Sequence, residues 1–347
     1  MLHPNFKLTN KIVNSIAEIS ASREVILNAS ILPQWDIKLK KDAILKRVHH
    51  STSIEGNPLT FEQVEALIEG RPVAARDVDK QEVLNYVKVL EYIDNLDIGE
   101  KKEKKITEEM ILKIHRLNTQ KVLSESKSGH YREGPVYVVD EFGKIIYEPP
   151  PEEDVPKLMK EFIEWINRTE AKSLYPVLEA GICHYELVRI HPFYDGNGRT
   201  ARALATLILC LRGFDTKKFF ALDDYYNEDR ERYYAALQTI DPKTVDITKW
   251  LEYFVEGVAV SMGKVKETVL KFSLDKRFRD LKGQVFLDEK QMKTLEYLLK
   301  HGRITASEYL EMFDVSVRTA RNHLNKLIEL DLIKPVGPQK KRYYQLK

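Results

Sequence analysis

Residues 191–202 read HPFYDGNGRTAR. Pro192 ends the apolar run AGICHYELVRI that precedes it, and Asp195-Gly196-Asn197-Gly198 has the composition of a tight loop. Arg199 then opens a second apolar run, RTARALATLILCLRG, closed by Gly213. A Gly-Asn-Gly loop feeding a helix start aims several backbone N–H groups at one point, with the positive end of the helix behind them. That is an anion site suited to phosphates. The glycines let the backbone approach a ligand without Cβ contact. Arg199 and Arg202 share a face near the helix start, where cations oppose the dipole. A bound polyphosphate reverses that conflict. Asp195 is an acid among positive groups, placed to hold Mg2+ against phosphate oxygens. His191 supplies a pKa suited to accepting a proton near neutrality.

A second local conflict lies far upstream. STSIEGNP, residues 51–58, ends the helical run AILKRVHHSTSIEG. Gly56 and Pro58 stop it and leave Glu55 in a last turn, where the dipole disfavours a carboxylate. Ser51 stands one turn before Glu55, within reach of its carboxylate. Helical periodicity also covers 9–29, 40–55, 60–69, 79–95, 107–121, 153–168, 176–190, 199–212, 227–240 and 246–273, with LPQW, GNP and EGRP as breakers. Thr60 with Gln63 forms a capping box signature, and Thr107 followed by Glu108 and Glu109 an N-cap. Residues 136–150 have strand character on either side of Phe142-Gly143 and predict a hairpin.

The 347 residues suit two or three domains, and 43% hydrophobic residues suffice for sizeable cores. A net charge of +2 excludes a polyanion binder by bulk charge, so any basic surface is local. Cys183 and Cys210 sit in apolar helical runs, which excludes a disulfide framework and fits a reducing compartment. The first residues lack a signal-peptide core, and no apolar run approaches the ~20 residues of a membrane span. The expectation is a soluble cytoplasmic protein with no membrane partner.

HPFYDGNGRTAR matches the Fic motif HxFx(D/E)GNGRxxR at every defined position. With SGHYREGPVYVV, EPP and YYNEDRERYYAAL, the chain resembles Fic proteins over residues 1–270. The resemblance implies a mainly α fold: an N-terminal helical region with an inhibitory motif (1–100) and a Fic core with a β-hairpin flap (101–272). A linker (273–287) and a winged helix-turn-helix domain (288–347) complete the expected organisation. It also implies a protein adenylyltransferase, which moves AMP from ATP, with Mg2+, to a Ser, Thr or Tyr hydroxyl of a target protein or of the chain itself. His191 is then the general base, and Asp195 the Mg2+ ligand. Gly196, Asn197 and Gly198 cradle the phosphates, Arg199 the β-phosphate region and Arg202 the γ-phosphate, with Phe193 anchoring the loop. Val138 and Val139 touch the nucleotide from the flap, whose edge aligns a target segment by strand addition. Tyr233 and Tyr234 fall where the family lines its adenine pocket, although aromatic residues in a helix equally serve as core. Asp241 stands where relatives can carry Asn. Ser51 to Gly56 matches the inhibitory pattern (S/T)xxxE(G/N), with Glu55 taking Arg202 from the γ-phosphate. The resemblance also allows a homodimer and the reverse reaction, removal of AMP.

Residues 288–347 read as three helices followed by LIKPVG and KRYYQLK, two short strands around a basic turn. This order resembles a winged helix. Ser316 caps the third helix, with Arg318, Thr319, Arg321 and Asn322 outward near its start and Lys340, Lys341 and Arg342 on the wing. DNA is one partner that fits, and another protein is the alternative. Two rival functions follow: a DNA-binding regulator whose Fic domain senses nucleotide, and a Fic enzyme moving UMP or a phosphate.

Overall fold

The computed structural model describes residues 4–29, 31, 33–97, 105–139, 142–214, 218–239, 245–274, 288–338 and 342–347. Asp241, Lys340, Lys341 and all but the first two residues of the expected linker lie outside them. Twelve α-helices precede the linker among the described residues: α1 (Asn10–Asn28), α2 (Pro33–Ile54), α3 (Phe61–Ile68), α4 (Asp77–Asp97), α5 (Glu108–Thr119), α6 (Val155–Ile166), α7 (Thr169–Ser173), α8 (Pro176–Ile190), α9 (Asn197–Leu211), α10 (Asp223–Glu228), α11 (Arg230–Leu237) and α12 (Thr248–Leu274). A short hairpin, β1 (Val138–Val139) and β2 (Ile145–Tyr147), lies between α5 and α6. After the linker come α13 (Glu289–His301), β3 (Ile304–Thr305), α14 (Ala306–Phe313), α15 (Val317–Glu329), β4 (Ile333–Val336) and β5 (Tyr343–Leu346).

The sequence signals act locally as expected. The Thr60 hydroxyl accepts from Gln63 N while the Gln63 side chain accepts from Thr60 N, closing the capping box at α3. Thr107 caps α5 through Met110 N. Three boundaries differ. α2 begins well before residue 40, because Pro33 initiates it: proline has the φ of a first turn and lacks an N–H that this turn cannot bond. The run 227–240 is two helices, broken at Asp229, whose carboxylate instead accepts from Arg232 N at 2.9 Å to start α11. The wing sheet has three strands, in the order β3-β5-β4.

α8 and α9 are the central pair, buried along nearly their whole length. α1 lies along α12, and Ile12, Ile19 and Ile26 enter the same apolar core as α8 and α9. Gly181 permits the close approach of α8 to α12, since a Cβ there would stand 2.9 Å from Phe254 Cδ1. Trp250 Nε1 donates to the Gly181 carbonyl at 2.8 Å in the same contact. A smaller cluster of Val48, Leu59, Val64, Val83, Tyr86 and Leu90 joins α2, α3 and α4. No helix among the described residues is long and apolar enough to cross a membrane.

Replacing Gly181 by Val forces overpacking at this crossing. Its denaturant midpoint should fall by the equivalent of about 1–3 kcal/mol with the slope unchanged. An unaltered midpoint would show that the α8–α12 contact yields freely.

Candidate active site

The loop between α8 and α9 is built from two left-handed residues. His191 ends α8 at φ 50°, which turns the chain sharply and sets the imidazole at the loop entrance. Gly196 precedes α9 at φ 76°, a conformation that favours glycine. Asn197 closes the loop on itself: its Oδ1 accepts from Phe193 N at 3.0 Å and its Nδ2 donates to Phe193 O at 2.9 Å. Both polar atoms of the Asn197 side chain are thus used in closing the loop. Phe193 is fully buried and stacks on His115, with centroids 3.7 Å apart and planes 3° from parallel. His115 Nδ1 accepts from Gly129 N at 2.9 Å, so in the neutral ring Nε2 carries the proton and donates to Asp195 O at 3.0 Å. Burial lowers its pKa to about 4, and the ring is neutral at pH 7. His115 is thus a strut beneath the loop, in a helix where only its apolar spacing was visible.

His191 is well placed as a base. Burial lowers its pKa, with Arg132 acting in the same sense. The Val188 carbonyl, Glu55 and Asp195 work to raise it and lose. Nδ1 lies 3.2 Å from Val188 O, and donation there leaves the Nε2 lone pair free. Arg132, from the segment SGHYREGPV, joins this residue to the flap. Its Nε donates to His191 O at 2.9 Å and its Nη1 to Gly134 O at 3.2 Å, while its backbone N–H bonds Pro192 O. Tyr147 of β2 donates to Arg189 O at 2.6 Å and fixes the other arm of the hairpin to α8. In the flap Val138 pairs with Tyr147 and Val139 with Ile145, with Val139 half exposed.

The two motif arginines have different surroundings. Arg199 is buried and pairs with Glu82 of α4 at 2.9 Å, leaving Asp195 Oδ2 at 3.6 Å on its other side. α4 thus supplies a carboxylate that no local sequence pattern disclosed. Asn57, in the turn after α2, donates to the other Glu82 oxygen at 2.8 Å. Arg202 is also buried. Its Nε donates to Ser51 Oγ at 2.9 Å, and its Nη2 donates to Ser51 O at 2.8 Å and to Glu55 Oε1 at 2.9 Å. Asp223, fully buried in α10, lies 3.2 Å from Nε. Among the described residues Nη1 has no hydrogen-bond partner, and it lies beside Gly198. A Cβ on Gly198 would stand 2.3 Å from Glu55 Oε1, so the carboxylate occupies the space that the glycine leaves open. Gly56, at φ 89°, ends the helix that delivers it.

The two tyrosines part. Tyr233 is in the core, its hydroxyl at 3.1 Å from His184 Nε2 among Tyr226 and Trp250; the apolar face of α11 outcompetes a pocket position. Tyr234 is partly exposed and donates to Ile54 O at 3.2 Å, beside Glu55. The Asp195 carboxylate is half exposed, with Oδ1 taken by Gly196 N. Among the described residues no three or more His, Cys, Asp or Glu side chains gather into a metal centre. A single open carboxylate fits Mg2+ that arrives with phosphates and keeps most of its ligands from them and from water.

Residues 105–209 match the family model described as Fic/DOC family. The chain carries a Fic/DOC domain. Residues 287–334 match a second model, winged helix-turn-helix DNA-binding. The chain is 36% identical over 205 residues to a protein named protein adenylyltransferase Fic from Nematostella vectensis, covering 56% of this chain and 45% of that one. It is 33% identical over 224 residues to the protein of the same name from Drosophila willistoni, covering 61% and 43%. The chain therefore spans less than half the length of these curated relatives. The structure of a Fic family protein from Desulfovibrio desulfuricans superposes with TM-score 0.67 at 26% identity, covering 100% of this chain and 98% of that one. Fic-1 from C. elegans superposes with TM-score 0.61 at 25% identity, covering 77% and 73%. The Fic domain thus sits within a longer likeness that includes the N-terminal helices.

A depressed pKa keeps the His191 ring neutral to lower pH than an ordinary histidine. Its ring resonances should titrate below 6.5 in an NMR pH series, and lower still in Glu55→Gly, which removes a carboxylate that raises it. A midpoint at or above 6.5 would contradict the buried environment.

Proposed function

We propose that the chain is a protein adenylyltransferase, held off by Glu55. The observation that carries this reading is the Arg202–Glu55 pair, set at the mouth of an anion-binding loop that bears a neutral histidine. In the reaction, a target hydroxyl oxygen attacks the α-phosphorus of ATP. The bond to the bridging oxygen breaks and pyrophosphate leaves. His191 Nε2 accepts the hydroxyl proton. The backbone of Gly196 to Gly198 and the start of α9 hold phosphate oxygens, and Arg202 binds the γ-phosphate end. Asp195 would hold Mg2+ from this chain, and the ion would supply charge neutralisation on the phosphates. Arg199 acts from behind, through Asp195. The exposed apolar edge of the flap, Val139 and Ile145, suits a target strand laid across the loop.

Glu55 and the γ-phosphate compete for one guanidinium. With Glu55 in place ATP loses its outer anchor, and the α-phosphorus is not held in line with His191. The likeness to the named adenylyltransferases supports AMP as the group moved. Self-modification and a homodimer are compatible with this arrangement.

A second reading has its own observation. On α15 Arg318, Arg321 and Asn322 are exposed along one face, with Lys334 and Arg342 exposed in the wing strands' vicinity. That surface suits a DNA groove and its phosphates. A regulator of this kind would hold a promoter fragment whether or not His191 is present.

Incubation of the Glu55→Gly protein with ATP and Mg2+ should add the mass of AMP to itself or to a lysate protein. Its rate should exceed the native chain's by about a hundredfold, or roughly 2.7 kcal/mol. His191→Ala in the same background should abolish the gain. Labelling of nothing by Glu55→Gly would remove the enzyme reading and favour the regulator.

A further inference from the structure

Glu55 is not held by the Fic core alone. α2 is one continuous helix from Pro33 to Ile54, and Glu55 follows its last residue. The other half of α2 belongs to the winged helix. Ile37, 6% exposed, is part of the apolar core made by Leu295, Leu298, Ile304, Tyr309 and Leu346. From Ile37 to Ser51 the helix runs about 21 Å at 1.5 Å per residue. It spans from one domain's core to the catalytic arginine.

The chain then reverses at Gly56 to Pro58 and returns along α3, whose far end meets the winged helix again. Gln345 of β5, 3% exposed, donates from Nε2 to Glu69 O at 3.1 Å. Gly302, at the end of α13, passes so close that a Cβ would stand 2.4 Å from the Ile68 carbonyl oxygen. Lys41 of α2 bonds Glu65 at 2.8 Å and Glu69 at 2.9 Å, tying α2 to α3 along their length. Burial works to lower the Lys41 pKa, but the two carboxylates outweigh it and the value is raised, so the tie is charged at neutral pH. α2 and α3 form a helical hairpin with the inhibitory carboxylate at its closed tip. The winged helix clasps its open end.

We propose that the winged helix sets the strength of inhibition by holding the α2–α3 hairpin so that its tip presents Glu55 to Arg202. Gln345 and Ile37 are positioning residues in this device, and neither is near ATP or target. Loosening the clasp lets the tip withdraw and exposes Arg202. By linkage the effect runs both ways: whatever takes Arg202 from Glu55 strains the seam with the winged helix by the same free energy. The face of α15 that bears Arg318, Arg321 and Asn322 uses other residues than the seam, so a bound partner and a closed clasp are compatible. This inference rests on Glu55 being the brake.

The test uses the full-length chain with two variants. Gln345→Ala removes the hydrogen bond to Glu69, and Ile37→Ala removes apolar contact while keeping a good helix former in α2. Each should raise AMP transfer by about tenfold, the effect expected of one lost buried hydrogen bond or its equivalent. Neither should add to the rate of Glu55→Gly. Amides of residues 51–57 should exchange faster with deuterium in both. Unchanged transfer with unchanged exchange overturns the proposal, as does an equal rise in the Glu55→Gly background. Should one variant fail to melt cooperatively, the other decides. If Glu55→Gly itself transfers nothing, the adenylyltransferase reading fails, while the exchange rates still report whether the clasp holds the tip.

Discussion

A guanidinium that is almost wholly removed from water must be surrounded by acceptors, because an unpaired buried charge costs several kcal/mol. Arg202 is 3% exposed. It stands on α9, in the apolar core. The fold meets this need from two sides: Ser51, through its hydroxyl and carbonyl, and Glu55 from the end of α2 and the turn after it, and Asp223 from α10. Nε and Nη2 are bonded in this way, while among the described residues Nη1 has no hydrogen-bond partner. On the proposed reading, a phosphate that replaces Glu55 keeps the guanidinium paired.

The same logic organises the clamp around α2. Asn227 of α10 approaches His50 Nδ1 at 2.8 Å, His50 Nε2 meets Asp224 at 3.0 Å, and Arg230 donates to Ser53 Oγ at 2.7 Å. Lys46 adds a second partner to Asp224, and with His50 it holds that carboxyl well below the usual range. α10 and α11 thus grip one side of α2 through polar contacts, while α3 and α4 cover another side with apolar ones. Asp224 and Asn227 before the break at Asp229 and Arg230 after it all reach α2 or the residues beside it.

Much of the site was legible because its chemistry is local. The loop, its glycines, the caps and Glu55 each break or satisfy a rule that operates within one turn of chain. Residues that act across the fold left no such trace. Glu82 reaches Arg199 from 117 positions away, and Asp223 reaches Arg202 from another helix entirely. Neither belongs to a local motif: Glu82 falls within the helical run 79–95, and Asp223 lies outside every helical run read from the sequence. Tyr233 and Tyr234 are adjacent yet have opposite fates, because a helix rotates about 100° per residue and only one can face the core. Pro33 misled for a related reason: proline forbids helix behind it but favours helix ahead. In the hairpin, among the described residues, Val138 and Val139 of β1 pair with β2 across a bulge, while Arg132 and Tyr147 anchor the arms.

The missing side chain at position 198 has an effect on how such a protein can change. The volume left open at Gly198 is filled by Glu55 Oε1, and on the proposed reading the phosphates need it too. A Cβ there would press first on the end of the Glu55 side chain, and on that reading it would crowd the nucleotide as well. A lineage that sheds the proposed restraint would then do so from the other side of the gap, at Ser51, Glu55 or the helix that carries them.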